Sequence, residues 1–444
     1  MRRLASHPSW LIGSIVALVS AVQRLILWQV YGPVTYGDTG SYFRSAEVLA
    51  RLTLDGYDGT RVPGYPAFVA LLGVDPDRVF AAQLVLGWLV TMLLYLWGWQ
   101  ATRRAPLAGV IAFAYCLVPG LFLFEANLLT ETLTAFLLVL SFVLLLPLER
   151  SRAWVRAGSA VALGLASGAV GLVRILFYPL TVWLIPFVWA AGSGSWKTRL
   201  LHSGLFLAPA LLLLGGWIGF IHRAYGFWAP TTMGGYNLVQ HAGVFFEYLP
   251  DEDAAIRDVY LEYRDARLAE RGDQTNTIWE AIPELTEVSG LGFYDLSREM
   301  QRLSLQLIRE HPDLYLRNVA EGWVDFWKAP VYWDPAQVAS TTTAAGLRLW
   351  ATVGRGLTLA ANAAFLLLSL WVVLHFRRYR QLLLDRTWLA PWGFVWFTSL
   401  VQTVADHGDN PRFLIPLQPV VFFCLVVGLT RILDHRRGKG GAGA

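Results

Sequence analysis

The chain is poor in charge. Asp, Glu, Lys and Arg make up 15% of its 444 residues, against about a quarter in a soluble globular protein. A soluble globular class is excluded on that ground. The net charge of +4 is small and spread over connecting segments, so it gives no argument for a nucleic-acid partner. Cysteine is scarce too. Cys116 and Cys424 both sit inside apolar runs, with no His or Cys at ligand spacing, which leaves a disulfide framework or a cysteine metal site without carriers. There is no Walker phosphate loop, no GxSxG elbow and no HExxH zinc motif. The common signatures of P-loop, serine-hydrolase and zinc-protease chemistry are therefore missing.

What the chain does have is apolar length. Hydrophobic residues make up 55%, with 20 Trp, 17 Tyr and 24 Phe, and mean hydropathy is +0.45. Runs near 9–31, 79–100, 106–122, 128–147, 158–175, 176–191, 203–222, 347–375, 388–405 and 412–433 each approach the ~20 residues that cross a ~30 Å hydrocarbon core. The expected fold is an all-α polytopic membrane protein of about ten transmembrane helices. Within 158–191 only Arg174 and Pro179 mark a division. The first run is longer than the usual 7–15-residue core of a signal peptide and has no clear small-residue cleavage site after it, so it reads as a retained span.

Basic residues in the short connections set an orientation. Arg2 and Arg3, Arg103 and Arg104, Arg150, Arg152 and Arg156, Lys197 and Arg199, Arg377, Arg378, Arg380 and Arg386, and Arg431, Arg436, Arg437 and Lys439 fall on one side when the span count is even. Both termini are then cytoplasmic, in a multi-pass protein of the cytoplasmic membrane. Three segments face outward: a first loop over 32–78, a short turn over 119–131, and a larger segment over 223–346. This divides the chain into a membrane module over 1–222, an extracytoplasmic segment over 223–346 and a second membrane module over 347–444. In the outer segment, 251–272 and 295–312 carry apolar residues at helical spacing, with Gly272 and Pro312 where stops belong. No internal repeat is present, and no low-complexity stretch beyond the GKGGAGA tail.

The first loop is unusual because it keeps Arg44, Arg51, Arg61 and Arg78 on the disfavoured side. After Asp38, the residues Tyr42, Ala46, Leu49 and Leu52 fall on one helical face. VPGYPAFVALLG follows and is too short to span. The loop reads as two helices on the membrane surface, apolar faces toward lipid, with Asp38 and Arg61 flanking a groove at headgroup level. Asp38 is also a natural N-cap, and one Asp can serve both roles.

Three further ionisable residues fall in or beside apolar helices. Glu131 lies inside the start of one, where such a group faces a cavity or a partner or is a first-turn Glu favoured by the helix dipole. Glu125 lies nearer water. Arg174, apolar on both sides, needs an anion unless it snorkels from a helix end. Arg412 opens the last span, with Asp406 and Asp409 as local partners. Its neighbour His407 is a lone candidate metal ligand. Arg61, Arg174 and Arg412 together suit a phosphate clamp. A carboxylate can serve as general base while arginines stabilise a phosphate leaving group. These parts fit glycosyl transfer from a lipid-phosphate-linked sugar.

The pattern resembles the C-type (GT-C) integral-membrane glycosyltransferases, a class that includes the protein O-mannosyltransferases and the aminoarabinose–lipid A transferase. The resemblance rests on Asp38 with Tyr42 and the Ala46/Leu49 helix, RVPGYPAFVALLG, NLLTETLTAFLL, LVR before Tyr178 and Pro179, HPDLYLRNV at 311–319 and NPRFLIPLQP. The ordered set extends over most of the chain. It implies a polyprenyl-phosphate-sugar donor, inversion at the anomeric carbon, and Asp38 as catalytic base. It places Arg61, Arg174 and Arg412 near the donor phosphate, with Tyr42, Tyr65, Glu125 and Glu131 as substrate-binding candidates. Many relatives carry Asp-Glu where this chain has Asp38-Thr39, so Glu125 or Glu131 is the candidate second carboxylate. The class differs over metal dependence, and no cofactor or metal ligand is assigned here. The acceptor is a protein, a lipid or a glycan. Tyr236, Asn237 and His241 follow the seventh span, close to the expected site. The competing readings are a flippase for a lipid-linked sugar, expected to show inverted repeats and broken helices in matching halves, and a non-catalytic envelope-glycan assembly protein.

Overall fold

Wherever the sequence runs apolar for long enough, the computed structural model is helical. It describes residues 7–150, 152–192, 195–408 and 410–440. Arg2, Arg3, Asp409 and the last four residues of the tail lie outside the described residues, as do the side chains of Arg150, Arg437 and Lys439. The N-terminal module contains α1 (His7–Val30), α2 (Thr39–Ala50), α3 (Gly64–Leu71), α4 (Pro76–Thr102), α5 (Ala105–Leu117), α6 (Pro119–Phe122), α7 (Glu131–Leu145), α8 (Pro147–Arg150), α9 (Ala153–Val173), α10 (Pro179–Ala191) and α11 (Trp196–Tyr225). The outer segment adds α12 (Gly234–Ala242), α13 (Ala254–Arg271), α14 (Thr277–Ser289), α15 (Phe293–Glu310) and α16 (Pro312–Phe326). The C-terminal module is α17 (Thr341–Leu374), α18 (Phe376–Leu383), α19 (Arg386–Ala405), α20 (Asn410–Leu414) and α21 (Gln418–Gly440).

All ten expected runs are helical, but they are not ten equal spans. Six are long and apolar enough to cross a membrane: α1, α4, α9, α11, α17 and the unit Asn410–Arg436. The run at 106–122 is a broken one. α5 stops at Val118 because Pro119 has no amide hydrogen to continue it and disfavours helix in the residue before it. The chain then bends by 65° into α6 and a 3-10 turn, Leu123–Ala126. The runs at 128–147 and 176–191 give shorter apolar helices. The run at 388–405 gives α19, of 20 residues. Arg174 and Pro179 do divide 158–191, through a 3-10 turn at Ile175–Phe177. The protein is an all-α polytopic membrane protein.

Local chemistry sets the ends. Asp75 accepts from the amides of Asp77 and Arg78 at 2.9 and 3.1 Å and opens α4. Ser340 accepts from Thr343 N at 3.1 Å and opens α17. Gly272 closes α13 in the left-handed region. Pro312 ends α15 and starts α16 in the same stroke, since proline suits the first turn of the next helix. The expected stops are therefore at the expected residues.

The first loop departs from the expected picture. The Tyr42/Ala46 face of α2 and the Tyr65/Val69 face of α3 are buried in the main core of the membrane helices; they meet protein, not lipid. Leu52 is not on that face: it lies past the end of α2 at φ +55 and is 96% exposed. Segment 223–346 has a core of its own, built from Tyr236, Val239, Phe246, Tyr260, Ile278, Leu285, Met300, Leu303 and neighbours. Its α16 packs on α19 and α20, which brings it over the start of the last span.

Candidate functional site

Two strands of chain run side by side for a few residues and fix the register of the site. Val34 N donates to Ala126 O at 2.9 Å, and Leu128 N donates to Val34 O at 2.9 Å, an isolated parallel bridge between Val34 and Asn127. Four residues on from each partner stands a carboxylate, Asp38 on one strand and Glu131 on the other. α2 begins directly after Asp38, and α7 begins at Glu131. Two acidic groups thus sit together at two helix N-termini, where the backbone dipole favours them.

Arg412 joins them from the far end of the chain. Its Nη1 donates to Asp38 Oδ2 at 2.8 Å, and its Nε donates to Glu131 Oε1. Arg61 extends the row on one side, with Nη2 on Asp38 Oδ1 at 2.6 Å and Nε on Ser41 Oγ at 2.8 Å. Arg174 extends it on the other, with Nη1 on Glu131 Oε1 at 2.7 Å. The result is a continuous alternation, Arg61–Asp38–Arg412–Glu131–Arg174. Among the described residues, three guanidiniums face two carboxylates, leaving one positive charge. Burial raises the pKa of Asp38, but Arg61 and Arg412 outweigh it and hold the carboxyl well below the usual range.

Aromatic rings line the row. The Arg61 guanidinium lies over the Tyr42 ring at 4.8 Å, and Arg174 over Phe413 at 4.3 Å. Tyr65 meets Tyr42 edge-to-face at 5.1 Å. Its hydroxyl donates to Gln83 Oε1 at 2.9 Å, and Gln83 Nε2 donates to the carbonyls of Glu125 and Asn127 at 2.9 and 2.8 Å. Tyr65 thereby ties the first loop to the turn that carries Glu131. Gly64 allows this: a Cβ there would stand 2.6 Å from the Leu172 carbonyl, so only glycine lets α3 lie against the end of α9, next to Arg174.

These contacts show which partners the side chains have. The Asp38 side chain makes no cap hydrogen bond; its oxygens are engaged by arginines. Arg174 is buried and pairs with Glu131, and Arg412 pairs with distant residues, Asp38 and Glu131.

Glu125 is a correction. It is fully buried, not near water, and pairs with Arg24: Arg24 Nη2 meets Oε1 at 2.6 Å and Nε meets Oε2 at 2.9 Å. Arg24 also donates to Ser20 O at 3.0 Å and Thr91 Oγ1 at 3.3 Å. This pair belongs to α1, α4 and the broken span, and the contacts of the Asp38 row do not include it. Its signal was an arginine in the middle of the first apolar run, AVQRLILW. Ser41, which fixes Arg61, carried no signal beyond its place three residues after Asp38.

Of the candidates after the seventh run, Tyr236 and His241 are buried, and Asn237 is half-buried. Tyr236 is buried and donates to Phe293 O at 2.5 Å. His241 is buried against Tyr315 and against His407, with ring centroids 5.3 Å apart in the His pair. Burial and the neighbouring His407 push His241 down to about 3. Among the described residues no group of three or more His, Cys, Asp or Glu is placed to hold a metal ion.

No protein-family description matches the chain, and no curated protein does. In structure it is similar to ArnT from Cupriavidus metallidurans, in crystal structures bound to undecaprenyl phosphate and in the apo state. Each comparison has a TM-score of 0.37 and 13% identity over 96% of this chain, covering 78% and 77% of the other chain respectively.

Proposed function

We propose that this protein is a glycosyltransferase that moves a sugar from a polyprenyl-phosphate-linked donor to an acceptor at the extracytoplasmic face of the cytoplasmic membrane. The observation that carries the reading is the row of three arginines and two carboxylates, which among the described residues has one positive charge in excess. A surplus guanidinium at the head of a membrane helix attracts an anionic lipid headgroup. A carboxylate in the same row can take a proton.

In this reading Arg61 and Arg412, with Arg174 behind them, hold the donor phosphate. Asp38 accepts the proton of an acceptor hydroxyl or amine as that atom attacks the anomeric carbon. The bond from the anomeric carbon to the phosphate oxygen breaks, and its electron pair leaves with the polyprenyl phosphate, whose developing charge the guanidiniums stabilise. A single displacement inverts the anomeric carbon. No proton donor is needed for the leaving group. Glu131 holds Arg174 and Arg412 in place. The acceptor is a protein, a lipid or a glycan that reaches Asp38 beside the outer segment 223–346. Both termini lie in the cytoplasm.

The flippase reading calls for broken helices in matching halves; the α5–α6 pair is the single such break among the described residues. The test is a mass profile of envelope glycans and glycolipids from a deletion strain, complemented with wild type or Asp38→Asn at matched membrane levels. A sugar lost on deletion, restored by wild type and not by Asp38→Asn, supports the enzyme and names the sugar. Full restoration by Asp38→Asn removes the base and favours transport or assembly.

A further inference from the structure

We propose that Asp38 is the resident anion of the phosphate subsite: in the empty protein its carboxylate occupies the guanidinium groups that the donor phosphate takes, and arrival of that phosphate frees it to act. The inference rests on the function proposed above and adds an order of events, donor before acceptor.

Asp38 Oδ1 accepts from Arg61 and Oδ2 accepts from Arg412. A carboxylate with both oxygens engaged by guanidiniums is a weak base. Arg61 spends its Nε on Ser41, and Arg412 spends its Nε on Glu131. Asp38 bridges the two guanidiniums through Arg61 Nη2 and Arg412 Nη1, so a phosphate that bridges the same two arginines competes with it, although each guanidinium has a second terminal nitrogen. The clamp and the masked base share the same two ion pairs, so a phosphate seated between the two guanidiniums takes the place of the Asp38 carboxylate.

Burial decides which anion moves. The Glu131 side chain is 1% exposed, and the Asp38 side chain is 32% exposed. A Glu131 that left Arg174 and Arg412 would strand a buried charge. Asp38 borders solvent and can let go into water. A phosphate carries more oxygens and charge than a carboxylate and can accept from both guanidiniums together. Once it does, Asp38 loses its two partners beside the reacting sugar. An acceptor arriving first meets a carboxylate whose two oxygens are each held by a guanidinium, which makes it a weak base.

The consequence runs against the usual expectation for a site residue, since removing Asp38 improves binding of the lipid. The experiment measures the affinity of a polyprenyl phosphate for the purified protein in phosphatidylcholine nanodiscs, for wild type, Asp38→Asn and Asp38→Glu. Asp38→Asn is expected to bind about tenfold more tightly, the scale of one partly exposed ion pair. Asp38→Glu keeps the competing charge and is expected to stay within about twofold of wild type. Equal or weaker binding by Asp38→Asn overturns the proposal. Should Asp38→Asn fail to fold, Asp38→Ser carries the same expectation. If none of the variants and not the wild type binds the lipid, the phosphate site itself falls, and the proposed function with it. An Asp38→Asn protein that binds tighter and still transfers sugar upholds the competition and refutes Asp38 as the base.

Discussion

Two ion clusters in this protein use the same chemistry to opposite ends. Arg24 and Glu125 form a closed pair between the first two spans and the broken one, both side chains buried. One cation meets one anion through two nitrogens, and Ser20, Thr91 and Cys116 take the remaining guanidinium contacts. Nothing is left over. The Asp38 row has three cations to two anions, and its burial falls from Glu131 to Asp38. A balanced dry pair holds helices together; an unbalanced row with one wet end is ready for a further anion. Charge balance and exposure, more than residue type, separate structure from site.

The contrast breaks in measurable ways. Asp38→Asn is expected to cut transfer by about 10²–10⁴-fold, the usual worth of a general base, with thermal stability in detergent lowered only by the worth of a partly exposed ion pair, about 1 kcal/mol. That split between activity and stability is the mark of the open cluster.

The closed pair should do the reverse. Arg24→Met or Glu125→Leu alone leaves a buried charge without its partner, which costs about 3–5 kcal/mol. The combined variant removes both charges and is expected to regain most of that stability in thermal unfolding. A combined variant as unstable as the singles would show that the pair is held for something other than its charge.

Gly87 sharpens the same side of the comparison. A Cβ there would stand 2.1 Å from Glu125 Oε1, so the carboxylate fills the space that glycine leaves on α4. Gly87→Ala is expected to cost about 1–3 kcal/mol by overpacking, and Glu125→Ala in the same protein should relieve the clash itself. Unfolding of the two variants side by side checks it.

The smallest effect is on pH. The folded pKa of Asp38 is held below its unfolded value of about 3.9. Its contribution to stability is therefore fully present above roughly pH 4–5 and is lost as pH falls through the folded value. Between pH 5 and 8 it is constant. Below pH 4, wild type should lose stability faster than Asp38→Asn, which has no carboxyl to protonate there. Parallel acid curves would deny that Asp38 is paired in the folded state.

Much of this was legible in order along the chain. The apolar runs foretold the helices, Gly272 and Pro312 their stops, and Arg174 with Pro179 the break inside 158–191. Asp38, Arg61, Glu131, Arg174 and Arg412 stood out because each is a charge in or beside an apolar stretch, and such charges need partners. What could not be read was which partner each had. Glu125 and Glu131 lie six residues apart in one turn with similar neighbours, yet one closes on Arg24 and the other joins the row. The difference arises from the 65° bend at Val118–Pro119 and from Gly87 on another helix.

The sequence by itself determined the solvent, the helices and the residues under electrostatic obligation. Those follow from local hydropathy and from the cost of charge in an apolar surrounding, which neighbouring residues suffice to reveal. The tertiary structure alone decided the pairing: Arg412 found Asp38 at a separation of 374 residues, and a bridge between Val34 and Asn127 set two carboxylates level. Coulombic pairing depends on distance in space, and the fold brings those charges within hydrogen-bonding reach.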